Sequence, residues 1–338
     1  MSNYQIVKTL PSVSDFHVFS HLPKQLYSPH SQRFLLDNDP SEQHLEGCYV
    51  LLENNKAIGR FAFYENPNLQ YQGKAVACIG SYECVENQEV SKQLLQYAFQ
   101  LAKEKDYAWL LGPMEGSTWN NYRFSLHNNQ PNFFLEPYQH VYYNQQFQTA
   151  GFQPIARYIS NLDEKLDIDE SRLQKLETHF QKEGIIVRNI DLKKIEEELY
   201  RIGQFSIKAF ADNFLYTPIA PEDFVAKYSK VKSLFQQELI WIVENKQQEI
   251  QAISFSIKDH WDAKGETVII KSLARKKGSS LRGLGAYLIA KTYQTVKSLG
   301  YQKVIHAMMI QDNASVNLSE KYSGDAYKEY VLYGKKMV

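Results

Sequence analysis

The feature that most constrains the fold is repetition: one order of strand and helix patterns runs along the chain twice. In the first half, residues 4–10 read as a strand and 13–27 as a helical stretch with apolar spacing. Residues 47–53 and 57–64 alternate around the polar turn Asn54-Asn55-Lys56, a hairpin signature. A long strand over 75–85 leads into 88–103, where Val90, Leu94, Leu95, Ala98 and Leu101 share one helical face. Residues 107–111 read as a compact strand ended by Gly112-Pro113, 141–150 as a short helix, and 152–160 as a final strand.

The second half repeats that order. Residues 185–190 read as a strand and 193–211 as an amphipathic helix, with Ile195, Leu199, Ile202, Phe205 and Phe210 on its apolar side. A helix over 221–232 precedes a hairpin of 239–244 and 250–258. Strand 267–273, helix 284–299 ended by Gly300, strand 303–310, short helix 314–321 and strand 327–333 complete it. Each half reads β, α, ββ hairpin, β, α, β, α, β. The charged stretch 163–170, leading into 171–181, is the seam. The expected fold class is α/β: two tandem domains, 1–165 and 166–338, each a mixed, mostly antiparallel sheet flanked by helices.

Composition narrows the function. Lys+Arg and Asp+Glu are each 38, a balance that argues against nucleic acid as partner. The three cysteines, Cys48, Cys78 and Cys84, form no CxxC pair, so neither a disulfide framework nor a metal site is expected. No basic segment followed by an apolar core opens the chain, and no apolar run approaches the roughly 18 residues of a membrane span. A soluble, cytoplasmic protein without membrane partners is expected. Oligomeric state stays open.

The most informative segment is Arg275-Lys-Lys-Gly-Ser-Ser-Leu-Arg-Gly-Leu-Gly-Ala-Tyr-Leu-Ile-Ala290. A strand runs into a basic, glycine-containing loop, and the loop into an amphipathic helix. The first N–H groups of a helix lack intrahelical partners and the helix dipole adds positive potential. Glycines let a phosphate approach that backbone, and Arg275, Lys276, Lys277 and Arg282 add charge. Gly also serves packing alone in such turns, so two readings stand side by side. The segment is neither a Walker loop nor a full dinucleotide fingerprint, whose third glycine is replaced by Leu288.

With this turn in its strand–helix context, the chain resembles the GNAT superfamily, the acyl-CoA N-acyltransferases. Their pyrophosphate motif, Arg/Gln-x-x-Gly-x-Gly/Ala, matches Ser280-Leu281-Arg282-Gly283-Leu284-Gly285, with Ser280 in place of the first residue and Ala286 following. Downstream, Asp312-Asn313-Ala-Ser-Val-Asn-Leu-Ser-Glu-Lys-Tyr-Ser-Gly324 looks like the family's Asn-bearing strand end and short helix. The first half resembles the fold in element order, but Tyr82-Glu-Cys-Val-Glu-Asn-Gln-Glu-Val enters its helix without glycine and with acidic residues.

The resemblance implies acetyl-CoA or another acyl-CoA as cofactor, bound through Leu273, Arg275, residues 280–286 and Asn313. It implies a small-molecule or peptide amine as acceptor. It also implies that a backbone N–H at Leu273 polarises the thioester carbonyl, a position equally consistent with a plain buried strand residue. The tyrosine that often protonates the leaving thiolate aligns with Ser319; Tyr322, one helical turn on, is the alternative. Asn313 suits a cofactor contact or a helix N-cap. His306, Glu244, Asp259, His260 and Asp262 read better as core or solvated residues than as a base. Two loops are acceptor candidates: 212–218, with Asn213 and Tyr216, and 116–123, with Trp119, Asn120, Tyr122 and Arg123. Trp119 reads foremost as interface packing. The expected function is an N-acyltransferase, most simply an N-acetyltransferase. An aminoacyl or long-chain acyl transferase, and a CoA- or nucleotide-sensing protein without turnover, are the alternatives.

Overall fold

The computed structural model describes residues 4–29, 31, 39–322 and 325–337; Gly324, the glycine expected to close the short last helix, lies outside them. The first half contains β1 (Tyr4–Thr9), α1 (His17–Ser20), α2 (Leu22–Leu26), β2 (Leu45–Glu53), β3 (Lys56–Tyr64), β4 (Gln70–Tyr71) and β5 (Lys74–Cys84). It continues with α3 (Gln88–Glu104), β6 (Trp109–Gly112), β7 (Phe124–Ser125), α4 (Tyr143–Thr149) and β8 (Gln153–Asp163). The second half contains α5 (Glu170–Lys182), β9 (Ile186–Asn189), α6 (Ile195–Ala209), α7 (Pro221–Ser229), β10 (Ile240–Glu244), β11 (Ile250–Lys258) and β12 (Thr267–Arg275). It closes with α8 (Leu284–Ser298), β13 (Lys303–Ile310), α9 (Ala314–Glu320) and β14 (Asp325–Lys336).

The expected mixed α/β architecture is present, with one difference early on. The helix expected over 13–27 is two short helices, α1 and α2, because Pro23 lacks the N–H that would continue one into the other. The main sheet runs in the order β1-β2-β3-β5-β6-β14-β8-β13-β12-β11-β10-β9, with the two-residue strands β4 and β7 paired beside it to β5 and β14. Each half therefore gives its last strand to the other. β8 pairs with β13 of the second half, β14 pairs with β6 of the first, and β8 and β14 pair with each other. The order of elements restarts near residue 165, but the sheet does not divide there. Val331 and Tyr333 of β14 are buried in the first half's core with Ile79, Leu110 and Phe147.

Two faces of the second half follow from strand alternation. Ile242, Ile253 and Ala274 pack with α6 and α7 on one side. Val243, Ala252 and Leu273 pack with α5 and α8 on the other. No helix among the described residues is long and apolar enough to cross a membrane.

Candidate active site

β12 and β13 run parallel and stay paired only from Thr267↔Lys303 to Ile270↔His306. The cause of their parting is a bulge in β12. Ser272 faces Phe255 and Ile270 faces Ser256, which leaves Lys271 as the extra residue. A bulge bends its strand and raises the twist. β13 carries a second irregularity between His306 and Met309. Along 271–275, alternate backbone N–H groups thus face a gap rather than a strand, and Leu273 lies in that stretch.

The loop after β12 reaches α8 through two glycines with positive φ, Gly278 at 70° and Gly283 at 81°. Gly283 is the N-cap of α8 and provides no side-chain cap; the first turn holds no acidic residue. The first N–H groups of α8 stay open at the positive end of the helix dipole. A Cβ on Gly285 would stand 3.2 Å from Leu318 Cδ2 and 3.8 Å from Leu273 Cδ2, so the glycine lets the first turn of α8 lie close to both side chains. Ser280 and Arg282 are exposed and Ala286 is buried, whereas Leu281 and Leu284 seat the start of α8 on the core. Two of the four loop cations already have partners: Lys276 pairs with Glu249 and Lys277 with Asp212. Arg275 and Arg282 are exposed without an ion pair among the described residues.

The same two features are closed in the first half. β5 and β6 stay paired only from Val76↔Trp109 to Cys78↔Leu111. Beyond that, chain fills the space: Met114 N–H donates to Ile79 O (2.7 Å), and a Cβ on Gly80 would stand 2.6 Å from Glu115 Cγ. α3 is capped by its own Asn87, whose side chain accepts from the Glu89 and Val90 N–H groups at 2.9 and 3.3 Å.

The two acceptor-candidate loops meet. Trp119 Nε1 donates to Thr217 O (2.9 Å), and its ring packs edge-on with those of Phe210, Tyr216 and Phe224. Tyr216 OH donates to Ile207 O at 3.0 Å. These two rings hold the loops together, while Asn213 is exposed in a turn. Asn120 accepts from Lys227 Nζ (2.9 Å) and donates to Glu115 O (3.0 Å). Tyr122 lies under the Arg123 guanidinium at 3.8 Å and against the edge of Tyr158 at 5.7 Å. Arg123 donates to Met308 O (3.1 Å) at the β13 irregularity, a direct tie from the first half to the opening.

The residues expected to move protons are placed differently. Ser319 is buried, and its hydroxyl lies 2.7 Å from His306 Nδ1 while accepting from Asn161 Nδ2 at 2.9 Å. His306 Nε2 lies 2.9 Å from Tyr293 OH, which donates to Asp163 Oδ2 at 2.7 Å. Because Tyr293 gives its proton to a carboxylate, His306 Nε2 carries hydrogen and Nδ1 accepts from Ser319. The chain Asn161, Ser319, His306, Tyr293, Asp163 is satisfied in one direction. Burial lowers the His306 pKa to about 4 against a raising effect of Asp163, so the ring is neutral. Ser319, expected near the thiolate, is a core residue that anchors α9 to the exchanged strand β8. Tyr322 donates its hydroxyl to Ala286 O in the first turn of α8 (2.9 Å), and burial raises its pKa. Asn313 caps α9 through the Ser315 N–H (3.2 Å) and is exposed. Glu244 is engaged by Arg188 and Arg201; Asp259 accepts from the Phe134 and Trp261 N–H groups.

The structure thus brings Leu273, Gly285, Ala286 and Tyr322 to one opening and takes Ser319 out of it. Lys271, at the bulge, is not among the residues singled out from the sequence. Its signal was present: a lysine interrupts the apolar strand run Val268-Ile269-Ile270.

No family model matches the chain. The fold is a tandem GNAT fold. A GCN5-related glucosamine N-acetyltransferase region of a fungal multi-domain β-N-acetylglucosaminidase superposes with a TM-score of 0.61 at 13% identity, over 99% of this chain and 38% of that one. A tandem GNAT protein from the clavulanic acid biosynthesis pathway gives 0.56 at 11% identity, over 99% and 98% of the two chains. A GCN5-related N-acetyltransferase from Sphaerobacter thermophilus gives 0.54 at 10%, over 98% and 95%. In sequence, a bacterial ceramide synthase of Caulobacter vibrioides is 21% identical over 181 residues, covering 46% of this chain. The match spans about half of that relative, 47% of its length.

Proposed function

We propose that the chain is an acyl-CoA-dependent N-acyltransferase, with acetyl-CoA as the simplest donor and an amine as acceptor. The observation that carries this reading is the asymmetry of two equivalent helix starts. That of α8 is uncapped, led by glycine and beside an open strand pair; that of α3 is capped by Asn87 beside a filled one. The second unit, 166–338, would hold the donor and the first, 1–165, would shape the acceptor side.

The residues fit an acyl-CoA. Backbone N–H groups of 283–286 would hold its pyrophosphate, with Arg282 adding charge from the exposed loop. An acyl-CoA supplies an activated acyl thioester. A free N–H along 271–275, assigned to Leu273, would donate to the carbonyl oxygen, where negative charge grows as the amine attacks. Gly285 leaves room for this arrangement, and Tyr322 fixes the first turn of α8 by holding Ala286 O. Trp119 and Thr217 join the two loops on the acceptor side.

Isothermal titration of acetyl-CoA into wild type and a Gly283→Val/Gly285→Val variant tests the reading. Binding in the wild type that is lost in a variant still folded by circular dichroism supports it; no binding in the wild type refutes it. Binding without acylation of any amine in a broad panel would favour a sensor. The partial match to a protein named a ceramide synthase favours a second reading, since ceramide is an N-acyl lipid. It keeps the reaction and lengthens the acyl group, and tighter binding of palmitoyl-CoA than of acetyl-CoA would select it.

A further inference from the structure

The bulge residue of β12 is a lysine whose ammonium makes no hydrogen bond or ion pair with any described residue. Lys271 is nonetheless half-buried, at the point where β12 and β13 part. Its surroundings are positive. Arg123 acts on it from the first half, and it acts in turn on Lys227 of α7. Glu115 of the first half acts on Lys227 and accepts from Ser81 Oγ (2.7 Å), and no carboxylate is among the groups that act on Lys271. Tyr122, which also acts on Lys271, presents a hydroxyl that makes no hydrogen bond with any described residue. The corresponding bulge of the first half, at Ser81 and Tyr82, is satisfied from within by Glu115 and Gln146. A half-buried lysine without a counter-ion has lost part of its hydration and gains from a ligand that supplies the opposite charge. The Lys271 ammonium only donates and the Tyr122 hydroxyl can donate beside it, which complements an oxyanion and not a cation.

We propose that the acceptor is an amine that also carries a carboxylate or phosphate, and that this anion seats on Lys271 with the Tyr122 hydroxyl beside it. The inference rests on the acyltransferase reading and names the acceptor class for the same site. Desolvation lowers the Lys271 pKa, Tyr122 opposes it, and Arg123 adds a smaller lowering effect; an arriving anion works against the lowering.

Matched probes decide it. β-Alanine and β-alaninamide test the carboxylate; phosphoethanolamine and ethanolamine test the phosphate. With acetyl-CoA as donor and thiol release as readout, the wild type should favour one anionic member over its neutral partner by about 10- to 100-fold in kcat/KM. Lys271→Met should collapse that ratio towards one, and Lys271→Arg should retain most of it. Which pair shows the preference separates carboxylate from phosphate. Equal rates within both pairs, or equal losses in both members on Lys271→Met, overturn the inference and leave the acyltransferase reading standing. If acetyl-CoA does not bind, that reading falls. Titration of β-alanine and phosphoethanolamine alone then decides the anion site: millimolar binding lost in Lys271→Met supports it, and none in the wild type overturns it.

Discussion

The buried chain around His306 makes a prediction about acid stability that can be worked through. His306 lies at 4% exposure, and its pKa falls from 6.5 to about 4 on folding. The unfolded chain therefore binds the proton more tightly than the folded one. Above about pH 6.5 neither state binds it and the full stability is present; as pH falls towards about 4, the unfolded state gains and stability is lost. A shift of this size amounts to about 3 kcal/mol over the whole window, of which about 2 kcal/mol is gone by about pH 5. His306→Gln keeps one donor and one acceptor but cannot titrate. At neutral pH it should cost about 1–2 kcal/mol for imperfect bonds to Tyr293 and Ser319. Urea unfolding followed by tryptophan fluorescence, from about pH 8 to about pH 4.5, gives both curves. Carboxylates titrate in both proteins and cancel in the difference. Wild type should lose about 2 kcal/mol more than the variant between pH 8 and about pH 5. Parallel curves would show that His306 is protonated as easily in the fold as outside it, which the directional network around a neutral ring does not allow.

Other expectations follow from the same geometry. Lys328 and Glu136 form a pair with both side chains at 0% exposure, so Lys328→Met alone should cost about 3–5 kcal/mol. Adding Glu136→Leu should recover most of that loss, and a double-mutant cycle in urea measures it. Fragments 1–165 and 166–338 should each fail to fold alone and should regain native circular dichroism when mixed. The first lacks Val331, Leu332 and Tyr333, all at 0% exposure and each worth about 1.5–3 kcal/mol, a large part of a total stability of about 5–15 kcal/mol. Independent folding of fragment 1–165 would contradict the strand exchange. Arg123→Ala removes the donor to Met308 O and the cation over Tyr122, and should cost about 1–3 kcal/mol, read as a lower urea midpoint.

Much of the fold was legible along the chain because its cues are local. Apolar residues on one face marked the segment that forms α8, and alternating runs around Asn54-Asn55 marked the β2–β3 hairpin. The glycine turn was legible for the same reason: Gly283 sits at a positive φ that its neighbours in sequence require. Ser319 was less legible: it matches the family's tyrosine only by position in α9, whereas its hydroxyl follows partners on β8 and β13. Lys271 was passed over because a lysine in a strand is ordinarily an exposed residue, and only the bulge opposite Phe255 and Ser256 gives it its surroundings.

By itself, then, the sequence determined the two-fold order of elements, the mixed sheet and the one glycine-led helix start, since each depends on residues within a turn or two of one another. Tertiary structure alone decided which sheet edge each last strand joins. β8 and β14 are both long strands that mix apolar and polar residues, and a free strand edge offers the same row of N–H and C=O groups wherever it lies. The choice between edges rests on side chains more than a hundred positions away, such as those packed around Val331 and Tyr333. That same choice brings Asn161 and Asp163 to His306 and carries Arg123 to the β13 irregularity, which is why the opening belongs to neither half alone.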